Sequence, residues 1–364
     1  MPEINTLAEA ERVMTFCNAC RYCEGFCAVF PAMELRRTFA EADLNYLANL
    51  CHNCRDCYYA CQYAPPHEFA LNIPKTFTEL RLETYQKLCW PRSMAGVYRS
   101  NGLVVSWITI ISVLIVSLLT LLFSGPAKVF STHLGEKAFY TLIPYAAIVP
   151  LALILVGLMI TGSLIMAYNF WHVTGGKLAQ IANLQANRTA LMDALRLKYL
   201  TGGGYGCNYP GEQFSMARRW LHHFVFYGLM LCFVSTAVAA IYEHFFHHSA
   251  PYPFLSWPVI LGTTGGVALL IGTSGLFYLK LRMDTIPSSS HVMGMDVSFL
   301  ALLFLTSLTG LLLMMFRETS AMGTLLMVHL GFVVAFFITM PYGKFIHAIY
   351  RYASLLKNAI EQKI

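Results

Sequence analysis

Eight of the eleven cysteines in these 364 residues fall into two short runs. The first places Cys17, Cys20, Cys23 and Cys27; the second places Cys51, Cys54, Cys57 and Cys61. Both have the form C-x2-C-x2-C-x3-C, a spacing that holds [4Fe–4S] clusters in pairs. Two residues between cysteines let three thiolates of one tight loop converge on a cubane. The fourth cysteine, one helical turn on, points away and ligates the other cluster. On that rule Cys17, Cys20, Cys23 and Cys61 hold one cluster, and Cys51, Cys54, Cys57 and Cys27 hold the second. Zinc and disulfides are the alternatives. Three cysteines this close are too dense for a tetrahedral zinc site, and disulfides need an oxidising compartment. Proline does not follow either fourth cysteine directly; it comes later, at Pro31 and at Pro65 and Pro66. That departure bears on packing near the last ligand, not on the ligand set.

The elements that must position these cysteines follow from composition. Mean hydropathy is +0.54 and 12% of residues are charged, which excludes an ordinary soluble protein. The first hundred residues are polar and cysteine-rich. Beyond them lie apolar runs at about 103–123, 142–167, 222–242, 257–279, 297–316 and 324–346. Each is near the roughly twenty residues that a hydrocarbon core requires. The runs are continuous, not alternating, so they predict helices. The expected fold is mainly α. A ferredoxin-like helical segment for two [4Fe–4S] clusters occupies 1–95. A six-helix transmembrane bundle occupies 96–364, with a long cytoplasmic loop at 168–221.

Charge sets the orientation. Of the 25 lysines and arginines, all but Lys128, Lys137 and Arg317 fall before the first span, in the loops after spans two and four, or in the tail. The positive-inside rule then puts both termini and the cysteine segment in the cytoplasm. The expected location is the bacterial inner (cytoplasmic) membrane, where cytoplasmic thiols stay reduced. The net charge of +6 therefore sorts by topology, and no nucleic-acid partner is expected. The first residues carry neither a basic n-region nor an apolar core, so no signal peptide is expected. Cys89, Cys207 and Cys232 read as inert.

Helix is expected over 1–16 and over 31–50, the latter with Leu35, Phe39, Leu44, Leu47 and Leu50 on one face. Residues 64–95 read as a connector, with a helix starting near Pro74 and ending near Trp90. In the long loop, Lys177 to Leu200 reads as a surface helix with Leu178, Ile181, Leu184, Leu191 and Leu195 as its apolar face. It ends in a glycine run from Gly202 to Gly206 that does not fit G-x-G-x-x-G and follows no strand. That run is either a turn packed near the membrane surface or an approach to a cofactor or partner.

Histidines supply the second chemistry. Span three opens on His222 and His223 and closes on His244, followed by His247 and His248; span six carries His329 and His347. Ionisable residues in spans are rare and functional by default. Eighteen residues make five helical turns, which would place His329 and His347 on one face about 27 Å apart. Two imidazoles on facing helices are how a bundle grips haem b. The expected pairs are His347 with His222 or His223, and His329 with His244; a single haem is the other option. Gly228 and Gly331 would give room for porphyrin faces. His172 and His291 lie in cytoplasmic loops and are not expected to be ligands.

Span six, from His329 through Pro341 and Lys344 to His347, resembles the haem-bearing last helix of the respiratory nitrate reductase gamma-subunit group. Joined to the cysteine segment, nearly the whole chain resembles the tricarballylate-utilisation protein B family, also called citrate-utilisation protein B. The matching text includes Gly202 to Pro210, Arg218 to His223, Gly294 to Asp296 and Pro341 to Phe345. The resemblance implies a membrane protein with iron–sulfur clusters and haem b that re-oxidises the reduced FAD of a soluble tricarballylate dehydrogenase. Electrons would pass to the respiratory chain. One departure concerns the nitrate reductase pattern, where the other helix has histidines ten residues apart. Here the positions ten after His222 and His223 are Cys232 and Phe233.

The expected function is thus an electron-transfer component of an oxidoreductase, running from flavin through two clusters and haem b at His347 to quinone. The chain carries no flavin or nucleotide fingerprint, so substrate chemistry belongs to the partner. Asp296 and Lys344 are candidates for quinone proton chemistry. The alternative reverses the flow, with quinol feeding a cytoplasmic reductase. A third reading is an iron–sulfur anchor without electron traffic.

Overall fold

The computed structural model describes residues 5–363. Its N-terminal part is built from α1 (Thr6–Cys20), α2 (Val29–Glu34), α3 (Glu41–Leu50), α4 (Asp56–Tyr59) and α5 (Ile73–Leu88). The Asn5 side chain caps α1 by accepting from the Leu7 amide at 3.0 Å, and Asn72 caps α5 from Lys75 at 3.2 Å. Ala10, Val13 and Met14 recur at helical spacing and bury one face of α1. That face packs with Leu47 and Leu50 of α3 and Phe77 of α5.

The membrane part follows as α6 (Asn101–Ser124), the short α7 (Pro126–Val129) and α8 (Tyr145–Val173). The intervening segment carries α9 (Leu178–Ile181), α10 (Leu184–Leu195) and a two-strand antiparallel pair, β1 (Cys207–Asn208) with β2 (Phe214–Ser215). Then come α11 (Ala217–Phe246), α12 (Trp257–Leu281), α13 (Met293–Phe316), α14 (Met322–Thr339) and α15 (Ile346–Glu361). Among the described residues, six helices are long and apolar enough to cross a membrane, one in each expected run. Helix α11 packs on α12, α12 on α13, α13 on α14 and α14 on α6.

Three expectations change. The helix over 31–50 is broken, because the chain bends around the Arg36 guanidinium. That group pairs with Asp43 at 2.6 Å and Glu361 at 2.8 Å, and Leu35 is left exposed. The 177–200 helix is also broken, at Asn183, which recaps the chain by accepting from Ala186 at 3.0 Å. Leu178, Ile181, Leu184 and Leu191 face outward, while Ala186 and Ala190 are buried against α15. The third change is in span six. Pro341 cannot continue a helix, and the chain passes through a 3-10 turn at Met340–Tyr342 and an extended Gly343. Tyr98 donates to the freed carbonyl of Pro341 at 2.8 Å, and the Asn101 amide to that of Tyr342 at 2.7 Å. His329 and His347 therefore sit on two helices, and the single-face spacing argument does not apply to them.

Two glycines serve packing, not a porphyrin. A Cβ on Gly228 would meet the Gly265 carbonyl of α12 at 2.9 Å, and one on Gly331 would meet Cα of Val113 in α6 at 2.5 Å. Beyond the break, α15 leaves the bundle. Its Leu355, Leu356 and Ala359 join the core of the cysteine-bearing part.

Candidate iron–sulfur and histidine sites

Each cysteine loop is set by helix ends and left-handed turns. Helix α1 stops at Cys20, where Arg21 adopts φ 55° and donates its amide to the Cys17 carbonyl at 2.8 Å. Asn53 (φ 55°) and Arg55 (φ 73°) turn the second loop in the same way. Such non-glycine turns cost about 1 kcal/mol or more each and persist where the surroundings over-determine them. The turns gather the cysteines across the two runs. A cavity of about 230 Å³ is lined by Cys17, Cys20, Cys23, Cys57 and Cys61. A narrower one beside it is lined by Cys27, Cys51, Cys54 and Cys57. Cys61 thus joins the first run, and Cys27 the second. Among the described residues, no three ligand side chains converge closely enough for a single metal ion. A cubane holds its thiolates apart at separate corners, which suits this wider spacing.

The donor set fits such a cluster electrostatically. Burial pushes the Cys23 thiol up to about 12, with Cys61 and Cys20 adding to the effect. Burial raises Cys17, Cys27, Cys54 and Cys57 as well. Thiolates gathered in this way require cationic compensation, which cluster iron supplies. The two sites differ in access. Cys20 is exposed, as are Arg21 and Tyr22 beside it, whereas Cys51, Cys54 and Cys57 are buried.

The second loop is covered by the glycine run. A Cβ on Gly202 (φ +54°) would fall within 1.8 Å of the Asp56 carboxylate, so only glycine fits there. Asn208 donates its amide to Asp56 at 3.0 Å, and Cys207 packs fully buried beside Cys54. Of the two readings of this run, the geometry favours close approach to the second cysteine loop.

Helices α11 and α15 bring His222 and His347 together, with ring centroids 6.3 Å apart and planes at 76°. Two imidazoles this close on facing helices could hold one iron-bearing group between them. His347 Nδ1 is held by the Lys344 carbonyl, which leaves Nε2 free. Burial, then Arg351 and Lys344, keep the His347 imidazole well below its ordinary range and therefore neutral. His222 Nδ1 is buried without a partner.

The other histidines are placed differently. His223 stacks on Tyr227 at 5.6 Å, turned away from His347. His329 meets Thr309 Oγ1 at 3.2 Å and packs against Gly310 of α13. His244 is exposed and pairs with the Tyr145 hydroxyl at 3.0 Å. The expected His329–His244 pair is not formed, because His329 faces α13 and His244 faces α8. Asp296 and Lys344, the candidates for proton chemistry, lie in an ion cluster. They pair with each other at 2.6 Å, and Asp296 also takes Lys280 at 2.6 Å.

Three arginines were not anticipated. Arg351 donates to the Cys51 carbonyl at 2.8 Å. Arg81 donates to the same carbonyl at 3.0 Å and to that of Ala48 at 2.9 Å. Arg218 reaches the carbonyls of His52 (3.3 Å) and Asn53. A signal was present: Arg218 lies four residues before His222, and Arg351 four after His347. One helical turn on each helix therefore carries a histidine at one level and an arginine at the next.

The comparisons bear on the whole chain. No solved structure matches it. Residues 10–87 match the family model described as the citrate utilization protein B Fer4-like domain, and residues 96–364 match that of citrate utilization protein B. The citrate utilization protein B of Escherichia coli is 48% identical, over 98% of this chain and 93% of the relative. A Fer4-like domain carries iron–sulfur electron transfer, and on these matches the chain belongs to the citrate utilization protein B family.

Proposed function

We propose that the chain re-oxidises the reduced FAD of a soluble tricarboxylate dehydrogenase, tricarballylate being the substrate that the resemblance implies, and delivers the electrons to membrane quinone. When bound, two [4Fe–4S] clusters and haem b supply one-electron carriage, which splits the two-electron step of a flavin. One observation carries the reading. Helices α11 and α15, which present His222 and His347, also clasp the Cys51 loop through Arg218 and Arg351. Arg218 and Arg351, each one helical turn from a histidine, thereby tie the buried cysteine loop to the two helices that carry the pair.

The residues divide the work. Cys20, Arg21 and Tyr22 form the exposed face at which a flavoprotein can dock. Cys51, Cys54 and Cys57 are buried and excluded from water. His222 and His347 are oriented to grip one haem b. The lysine and arginine distribution supports cytoplasmic placement of the cysteine part, with the bundle in a bacterial inner membrane. The test is anaerobic mixing of the purified full chain, in quinone-containing vesicles, with the substrate-reduced dehydrogenase. Flavin re-oxidation coupled to quinone reduction is expected. A flavin that stays reduced in the presence of cluster-replete protein overturns the proposal.

A further inference from the structure

The three arginines around the Cys51 loop pose an energetic problem. Arg81 is 6% exposed, and Arg351 carries a buried Nε without a partner. Among the described residues none of Arg81, Arg218 and Arg351 forms an ion pair; their bonds go to carbonyls and to the Thr78 hydroxyl. Arg218 and Arg351 are half-buried, and cations drawn out of water without an ion pair are costly. A loop amide would satisfy a carbonyl without that cost. Three guanidinium groups on one loop therefore imply an anion within it, and the four thiolates of Cys27, Cys51, Cys54 and Cys57 supply one.

We propose that Arg81, Arg218 and Arg351 form a cationic shell that raises the reduction potential of the cluster held by the Cys51 loop. A cluster with four thiolates is net negative and gains one further negative charge on reduction. Burial alone disfavours that extra charge and lowers the potential, whereas adjacent fixed cations favour it. The shell thereby offsets burial at the site nearest the histidine pair. The step it favours moves one electron from the exposed Cys17-loop cluster, which is oxidised, to the Cys51-loop cluster, which is reduced. No bond is made or broken. Arg81 belongs to the cysteine-bearing part, while Arg218 and Arg351 come from helices that carry the histidines. The shell is complete only when the two parts are docked.

The inference rests on the proposed electron path. Its test is a redox titration of the full-length, cluster-replete protein, followed by electron paramagnetic resonance. Arg351→Gln and Arg218→Gln are expected to lower the midpoint of one cluster and leave the other unmoved. Arg351→Lys keeps the charge and is expected to stay close to the parent. Asn53→Asp covers the case in which the glutamine variants do not assemble. It is nearly isosteric, asparagine and aspartate both tolerate its left-handed turn, and it places a carboxylate beside Arg218. It is expected to lower the same midpoint. Unmoved midpoints in variants that retain both clusters overturn the shell while leaving the electron path intact. A lysine variant that shifts as far as glutamine also overturns it, because geometry and not charge would then matter. A parent protein without two clusters overturns the path and the shell together.

Discussion

At the scale of single residues, His222 and His347 are set apart from the other histidines by what their nitrogens touch. His347 has one nitrogen committed to a carbonyl and the other free, and His222 stands across from it. His223 and His244 are occupied by tyrosines instead. We expect His222→Ala and His347→Ala to abolish the same b-type absorption band. His223→Ala and His244→Ala should retain it, as read in reduced-minus-oxidised optical spectra. Loss of the band in His223→Ala, with His222→Ala unaffected, would reverse the assignment of the axial pair. The cysteines make a second prediction. Because Cys27 lines the cavity of the second run and not that of its own, Cys27→Ser should disturb the Cys51-loop cluster and spare the other. Iron content with Mössbauer spectroscopy distinguishes this from loss of the Cys17-loop cluster.

At the scale of elements, close packing and one buried ion cluster hold the bundle. Gly228 and Gly265 let α11 and α12 touch backbone to backbone, since a Cβ on Gly265 would lie 2.7 Å from the Gly228 carbonyl. Gly265→Val should therefore destabilise by about 1–3 kcal/mol, measured as a lower unfolding midpoint in detergent. Asp296 joins α12 and α13 to the turn before α15 through Lys280 and Lys344. Asp296→Asn would leave two half-buried ammonium groups facing each other, at a cost of about 1–3 kcal/mol in the same assay, less than for a fully buried pair. These elements also show how far the sequence could be read. The spans were legible because twenty apolar residues in a row have few other solutions. Their partners were not, since Gly228 reads alike as a porphyrin neighbour and as a helix contact. Pro341 and Gly343 marked the end of α14 in plain view, but the apolar run continued through them and masked the break. The leucines of α9 and α10 were read as the apolar face of a surface helix, and they point outward. Periodicity locates an apolar face without telling whether protein or lipid covers it.

At the scale of the whole molecule, access to the two cysteine groups is graded. The Cys17 loop opens to solvent at Cys20, Arg21 and Tyr22, and the Cys51 loop is enclosed by the glycine run, α11 and α15. The grouping of Cys61 with the first run and Cys27 with the second was expected from cysteine spacing, and the cavity linings agree with it. The enclosure was not, because it depends on α15 folding back more than 300 residues later, where its Leu355 and Leu356 complete the same core as α1 and α3. A docked flavoprotein then has one face to reach. Charge on such a face acts mainly on the rate of encounter. Reversing it at Arg21, with Tyr22 changed as well, should slow reduction by the flavoprotein about tenfold and alter its salt dependence. Reduction by dithionite, a small diffusible donor, should proceed at the parent rate in the Arg21→Glu, Tyr22→Ala variant. Lys128→Glu, in the short α7 at the far end of α6, should change neither rate. Stopped-flow absorbance at the cluster band reads all three. Equal slowing by Lys128→Glu, or none by the Arg21 and Tyr22 changes, would move the docking face away from the Cys17 loop.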